Sequence, residues 1–190
     1  MTAPSTPPPA SSTSTSTSTS ERGPITYAAA GVDVEAGDKA VELMKESIRR
    51  ATRPEVLGGL GGFAGLFDAS ALARMTRPIL ATSTDGVGTK VAIAQALDRH
   101  DTIGFDLVGI VVADIVVCGA EPLFMTDYIA TGTVVPERIA ALLGGIARAC
   151  EQAGVALVGG GTAEHPGLLH PDECDGAGAA TGLVDVASWS

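Results

Sequence analysis

The sequence predicts a layered domain of interleaved strands and helices. It is either a parallel α/β sheet or an α+β layer with helices on one face of a mixed or antiparallel sheet. Apolar, β-forming runs at 79–83, 122–131 and 155–158 read as strands. Long helical patterns at 101–118 and 136–153 fall between them. Glycine clusters mark the corners. Periodicity leaves the two architectures open.

Each element has a local reason. Residues 38–51 form an amphipathic pattern, with Val41, Met44 and Ile48 at helical spacing and basic residues at the C-terminal end. Arg53-Pro54 ends it. A glycine loop spans 58–65, and 66–75 is a short helix or a loose connection. Residues 87–98 continue as a helix after the strand at 79–83, because Val91, Ala94 and Leu97 repeat. The pattern at 101–118 is a largely buried helix, ended by Gly119. Pro136 opens the last helix, with Gly154 placed as its C-cap. A strand at 155–158 enters Gly159-Gly160-Gly161. Residues 162–179 read as a loop, and 181–186 as a last strand.

Residues 1–22 are almost wholly Thr, Ser, Pro and Ala, with too little apolar surface to offset ordering entropy. They are expected to form a disordered tail ahead of one domain at 23–190. The tail lacks the basic start and apolar core of a signal peptide. The net charge of −10 argues against nucleic acid, which needs clustered Lys and Arg. Three cysteines without close spacing point to reduced thiols and a cytoplasmic setting, with Cys118 and Cys150 in the core. Residues 103–120 are apolar, yet Asp106 and Asp114 would each cost about 2.5–3.5 kcal/mol at a bilayer centre, which argues against a membrane span.

The densest chemistry lies in Ser83-Thr84-Asp85-Gly86-Val87-Gly88-Thr89-Lys90. Asp85 can hold Mg²⁺, Gly86 and Gly88 let backbone N–H groups approach oxyanions, and Lys90 supplies a point charge. A triphosphate with its metal suits that set. The spacing is not that of a Walker loop, and an Asp-Gly turn between strand and helix is also common for structural reasons. Gly59-Leu60-Gly61-Gly62-Phe63-Ala64 fits a dinucleotide pattern loosely, without the strand before it or the acid after it. A loop that folds over phosphates is its better functional reading, and a plain connection is the alternative.

Asp114 falls in a Val- and Ile-rich helix. If buried, it must be paired, hydrogen-bonded or metal-bound; if not, it sits at an exposed edge. Asp106 lies about 80° from it around the helix. Asp127, mid-strand, faces either a site or water. His165 reads as a solvated loop side chain, and His100 and His170 have no partner in sequence.

The order of these pieces resembles the phosphoribosylformylglycinamidine cyclo-ligase (aminoimidazole ribonucleotide synthetase) family. The matching runs are residues 27–33, Arg53-Pro54-Glu55-Val56 with the glycines to Phe63, 84–90, His100 to Gly104, Gly119 to Phe124, and Thr162-Ala163-Glu164-His165-Pro166-Gly167. Coverage is roughly residues 25–186. The resemblance implies an α+β N-terminal domain whose sheet pairs with a partner subunit's in a homodimer, and a C-terminal α/β domain absent here. It implies ATP and Mg²⁺ as cofactors and formylglycinamidine ribonucleotide as substrate. Asp85 and Asp114 would stand near Mg-ATP as metal ligands. Lys90, Gly86, Gly88 and Thr89, with Gly59, Gly61 and Gly62, would serve the nucleotide. Acid and base groups for ring closure are not implied. The chain departs from the family's Gly-Gly-Glu-Thr at Gly161, and has Ala113 where Asn or Asp is usual. The rivals are an inert dimerisation fragment and a superfamily relative such as formylglycinamidine ribonucleotide synthetase or selenophosphate synthetase.

Overall fold

The computed structural model describes Thr26, residues 34–58 and residues 64–185. The expected tail, the 27–33 motif and glycines Gly59, Gly61 and Gly62 lie outside the described residues.

One four-stranded sheet organises the domain. Its strands are β3 (Pro78–Gly86), β4 (Glu121–Thr131), β5 (Ala156–Glu164) and β6 (Cys174–Asp185), preceded by a small ribbon of β1 (Val56–Leu57) and β2 (Leu66–Phe67). The sheet order is β3-β6-β4-β5. β6 pairs antiparallel with both β3 and β4, while β4 and β5 run parallel. The helices are α1 (Val34–Arg50), α2 (Lys90–Ala96), α3 (Ile103–Val117) and α4 (Pro136–Ala153). α3 and α4 pack together and lie against the sheet, and α1 lies on α4. The sheet is mixed, so the α+β layer is the architecture adopted.

Alternation along β4 sets the two faces. Leu123, Met125, Asp127, Ile129 and Thr131 are buried toward the helices. Phe124, Thr126, Tyr128 and Ala130 point to the opposite face and keep partial exposure. The core beneath α3 is built from Leu107, Val108, Val111 and Ile115, one stripe of that helix. α4 runs between the expected boundaries, with Pro136 in its first turn and Gly154 left-handed at φ 69°.

Several expectations are corrected. β3 continues to Gly86, because Asp85 and Gly86 pair with Gly178 and Ala177 of β6. Asp85 is therefore a strand residue, and α2 starts at Lys90 and ends at Ala96. α1 starts at Val34, ahead of Asp38. Gly159–Gly161 are not a corner: β5 runs through them to Glu164, held by parallel pairing with β4. Residues 174–179 are strand rather than loop, since β6 is clamped between β3 and β4 whatever its weak intrinsic preference. Residues 66–75 contain β2 and a 3-10 turn at Ser70–Arg74. α3 is buried on one side only, with Val116 and Val117 exposed. Cys118, just past its end, is exposed, whereas Cys150 and Cys174 are buried.

Candidate functional site

The edge of β3 beside α3 carries the charged groups singled out in the sequence. Ser83 Oγ donates to Asp114 Oδ2 at 2.7 Å, tying strand to helix. Asp85 lies two residues further along the same strand face, about 7 Å from Ser83 by strand geometry. Both carboxylates thus stand on the helix side of β3, and both are exposed. Asp114 is at the exposed edge of α3, not in its buried stripe. Lys90 Nζ donates to Asp106 Oδ1 at 2.7 Å, so the ammonium is held by α3 about two turns nearer its start. Asp85 Oδ1 accepts from the Gly86 N–H at 2.7 Å. Gly88 is left-handed at φ 64°, which lets the chain leave β3. Thr89 is exposed, and its hydroxyl makes no capping hydrogen bond in α2.

This donor set fits a magnesium nucleotide. Mg²⁺ is commonly held by one or two carboxylates, with phosphates and water filling the other positions. Two exposed carboxylates on adjoining elements meet that need. Among the described residues, no group of three or more His, Cys, Asp or Glu side chains is arranged for a metal without such help.

The described flanks of the glycine loop lie elsewhere in the chain's own fold. Its described flanks, Gly58, Ala64 and Gly65, line a cavity with β5, at the sheet edge opposite β3. Three strand spacings separate those edges, about 14 Å. A single chain therefore does not bring those flanks beside Asp85.

That second region holds a carboxylate whose role the sequence left open. Asp127 is only 8% exposed and lines a cavity of about 500 Å³ between α1 and β5. Its strand partner on β5 is Gly160. A Cβ on Gly160 would sit 2.1 Å from Asp127 Oδ1, so only glycine accommodates the carboxyl there. Burial pushes Asp127 up to about 7, opposed by a hydrogen bond from its own backbone N–H. Cys150 on α4 is pushed up to about 12 by the same burial and by the nearby Asp127 charge. A signal was present: Leu123, Met125 and Ile129 share Asp127's parity, which marks that face as interior.

Glu164, also on the cavity wall, accepts from the Val134 N–H at 2.6 Å. On the open face, Tyr128 Oη and His165 Nε2 lie 2.9 Å apart, so His165 has a partner rather than water alone. His100 is buried, and desolvation and Arg138 lower its pKa.

Residues 67–184 match the family model for AIR synthase related protein, N-terminal domain. The chain belongs to that family. The AIR synthase domain here is 58% identical over 159 residues to a phosphoribosylformylglycinamidine cyclo-ligase of Geobacillus kaustophilus, covering 84% of this chain and 46% of that protein. It is 54% identical over 159 residues to the protein of the same name from Lachnospira eligens, covering 84% and 47%. The chain thus spans about half the length of these curated relatives. Among solved structures, E. coli HypE, a hydrogenase maturation protein, shares the fold at a TM-score of 0.60 with 19% identity, over 78% of this chain and 44% of that one. Among the described residues, no helix is long and apolar enough to cross a membrane.

Proposed function

We propose that this chain is the nucleotide-binding, dimer-forming part, residues 23–190, of a cytoplasmic ATP-dependent cyclo-ligase. Its reaction would convert formylglycinamidine ribonucleotide to aminoimidazole ribonucleotide in purine biosynthesis. ATP transfers its terminal phosphoryl group to the amide oxygen of the substrate. A substrate nitrogen then attacks that carbon, and the C–O bond to phosphate breaks as the five-membered ring closes. Identity above one half to cyclo-ligases supports the activity, and the Ser83–Asp114 hydrogen bond between β3 and α3, with Asp85 two residues further along the same strand face, carries the site.

Asp85 and Asp114 would hold Mg²⁺, which offsets phosphate charge when bound. Ser83 fixes the Asp114 carboxylate toward the strand, so that it is already oriented. Lys90 exchanges its contact with Asp106 for a phosphate oxygen, a small cost because the ion pair is exposed. Gly86, Gly88 and Thr89 present backbone and hydroxyl groups to the nucleotide, and Gly59, Gly61 and Gly62 cover phosphates. The cover comes from a second copy, since the loop's flanks lie on the far edge of the same chain. The open sheet face supplies the dimer contact, with Leu80 at 61% exposure and Tyr128 at 45%.

The rival is an inert nucleotide-binding or dimerisation fragment. Gly161 favours it, because the family's carboxylate is missing there. The Gly161 side-chain position is open space, so a glutamate fits without a clash. Titrating Mg-ATP calorimetrically into this chain and into Gly161→Glu separates the readings. Heat from the native chain is expected, with tighter binding in the variant where β5 of the second copy, like its loop, meets the nucleotide. No heat from either overturns the nucleotide reading.

A further inference from the structure

A second cavity, of about 340 Å³, opens between residues 98–101, which join α2 to α3, and the first turn of α4. Its described lining shares no residue with the β3-edge site or with the flanks of the glycine loop, so it stands or falls apart from the proposed activity. Burial sorts its charges. The His100 and Arg138 side chains sit deep, 4% and 16% exposed. Asp98, Asp101 and Glu137 lie on the solvent side, and each already faces a partner in His100, Arg99 and Lys39 respectively. Charges in water are screened, whereas a guanidinium sheltered from it acts strongly on what enters. The basic floor therefore outweighs the acidic rim.

Two atoms of that floor lack partners. His100 Nδ1 and Arg138 Nε are buried without a hydrogen bond among the described residues, a costly arrangement unless a further group joins them. Arg138 can turn to meet one. Its outer contacts, to the Asp172 backbone O at 3.3 Å and Asp172 Oδ1 at 3.8 Å, are long and lie against an exposed residue. The third element is α4 itself. No side chain caps its start, and Glu137 and Arg138 of its first turn line the cavity, so the positive end of the helix borders it. A guanidinium, an imidazole and a helix N-terminus share one complement, a compact oxyanion.

We propose that this cavity binds a single small tetrahedral oxyanion of the phosphate type, held by Arg138, His100 and the N-terminus of α4. The acidic rim repels a string of phosphates, so a nucleotide does not fit. Without an anion, desolvation and Arg138 favour the neutral His100 ring. An anion beside the ring reverses that balance: Nδ1–H donates to the anion, and Nε2–H is directed to Asp98 Oδ1, 3.5 Å away. Binding therefore takes up a proton and tightens as pH falls through the ordinary histidine range. The other charged groups facing the ring are Asp98, Arg99 and Asp101 from its own segment, and Glu137 and Arg138 from α4. Asp172 and Cys174 reach Arg138 from the β6 side.

Sulfate is the direct probe, because its own charge stays fixed across that range, with chloride at matched ionic strength as the control. The full 190-residue chain is titrated without metal or nucleotide, and the His100 ring resonances are followed by NMR. Sulfate is expected to move them and to raise the pH at which His100 titrates, a readout that needs no variant. Affinity should rise about threefold or more from about pH 7.5 to about pH 5.5. Arg138→Gln should weaken sulfate about tenfold or more, the worth of one charge-assisted hydrogen bond. A His100 resonance that sulfate moves no more than chloride does, a titration midpoint that does not rise, or equal affinity in Arg138→Gln overturns the assignment.

Discussion

The two halves of the sheet place carboxylates in opposite surroundings. At the β3 edge, Asp85 of the strand and Asp114 of α3 stand in solvent, steadied by a backbone N–H and a serine. On the other side of β6, Asp127 is enclosed by α1, α4 and a glycine strand. Hydrated carboxylates can give their oxygens to a cation without first being unburied. An enclosed one holds its proton to higher pH and takes hydrogen-bond donors instead. One fold thus separates hydrated carboxylates at one edge from an enclosed carboxyl on β4, by burial alone.

The contrast can be broken most sharply through pH. Asp127 has a folded-state value near 7 against an ordinary 3.8. The unfolded chain therefore loses its proton first, and stability falls as pH rises from about 4 to about 7. By linkage the loss is on the order of 4 kcal/mol, at 1.36 kcal/mol per unit. Asp127→Asn should remove that slope. Urea denaturation of both proteins at pH 5 and pH 8 measures it, and parallel pH profiles would show that Asp127 is hydrated. Next in size, Gly160→Ala should cost roughly 1–3 kcal/mol, because its methyl meets the Asp127 carboxyl. Pairing it with Asp127→Ala should recover much of the loss in a double-mutant cycle.

Effects at the β3 edge should be smaller on stability and larger on ligand binding. Asp85→Asn should leave the melting temperature within a few degrees and weaken Mg-ATP at least tenfold, about 1.4 kcal/mol. Smallest of all, Asp106→Asn should change stability by under about 1 kcal/mol, since its pair with Lys90 is exposed. By freeing Lys90 it should, if anything, tighten nucleotide binding, which calorimetry would register.

Much of this layout was legible in the sequence where local chemistry decided it. α4 carried Pro136 and Gly154 at its ends, and the Thr84–Lys90 motif named the β3 edge. Elements shaped by distant pairing were hidden. Gly159–Gly161 and Gly176–Gly178 have poor strand preference, and pairing with β4, joined by β3 at Gly178, holds them extended. The sequence left Asp114 open between a buried, partnered position and an exposed helix edge, because the whole run around it is apolar. The buried stripe is 107, 108, 111 and 115, and Asp114 lies off it. The Ser83–Asp114 and Lys90–Asp106 contacts join residues 31 and 16 apart, beyond any local pattern. Asp127 was readable from strand parity, but parity does not reveal a cavity.

The most direct measurement is paramagnetic mapping with Mn²⁺-ATP in place of the magnesium complex. Amide resonances of residues 83–90 and 113–115 should broaden first, and Asp85→Asn with Asp114→Asn should abolish the effect. Broadening centred on β5, or none at β3 at saturating nucleotide, would contradict a metal-nucleotide site at the β3 edge.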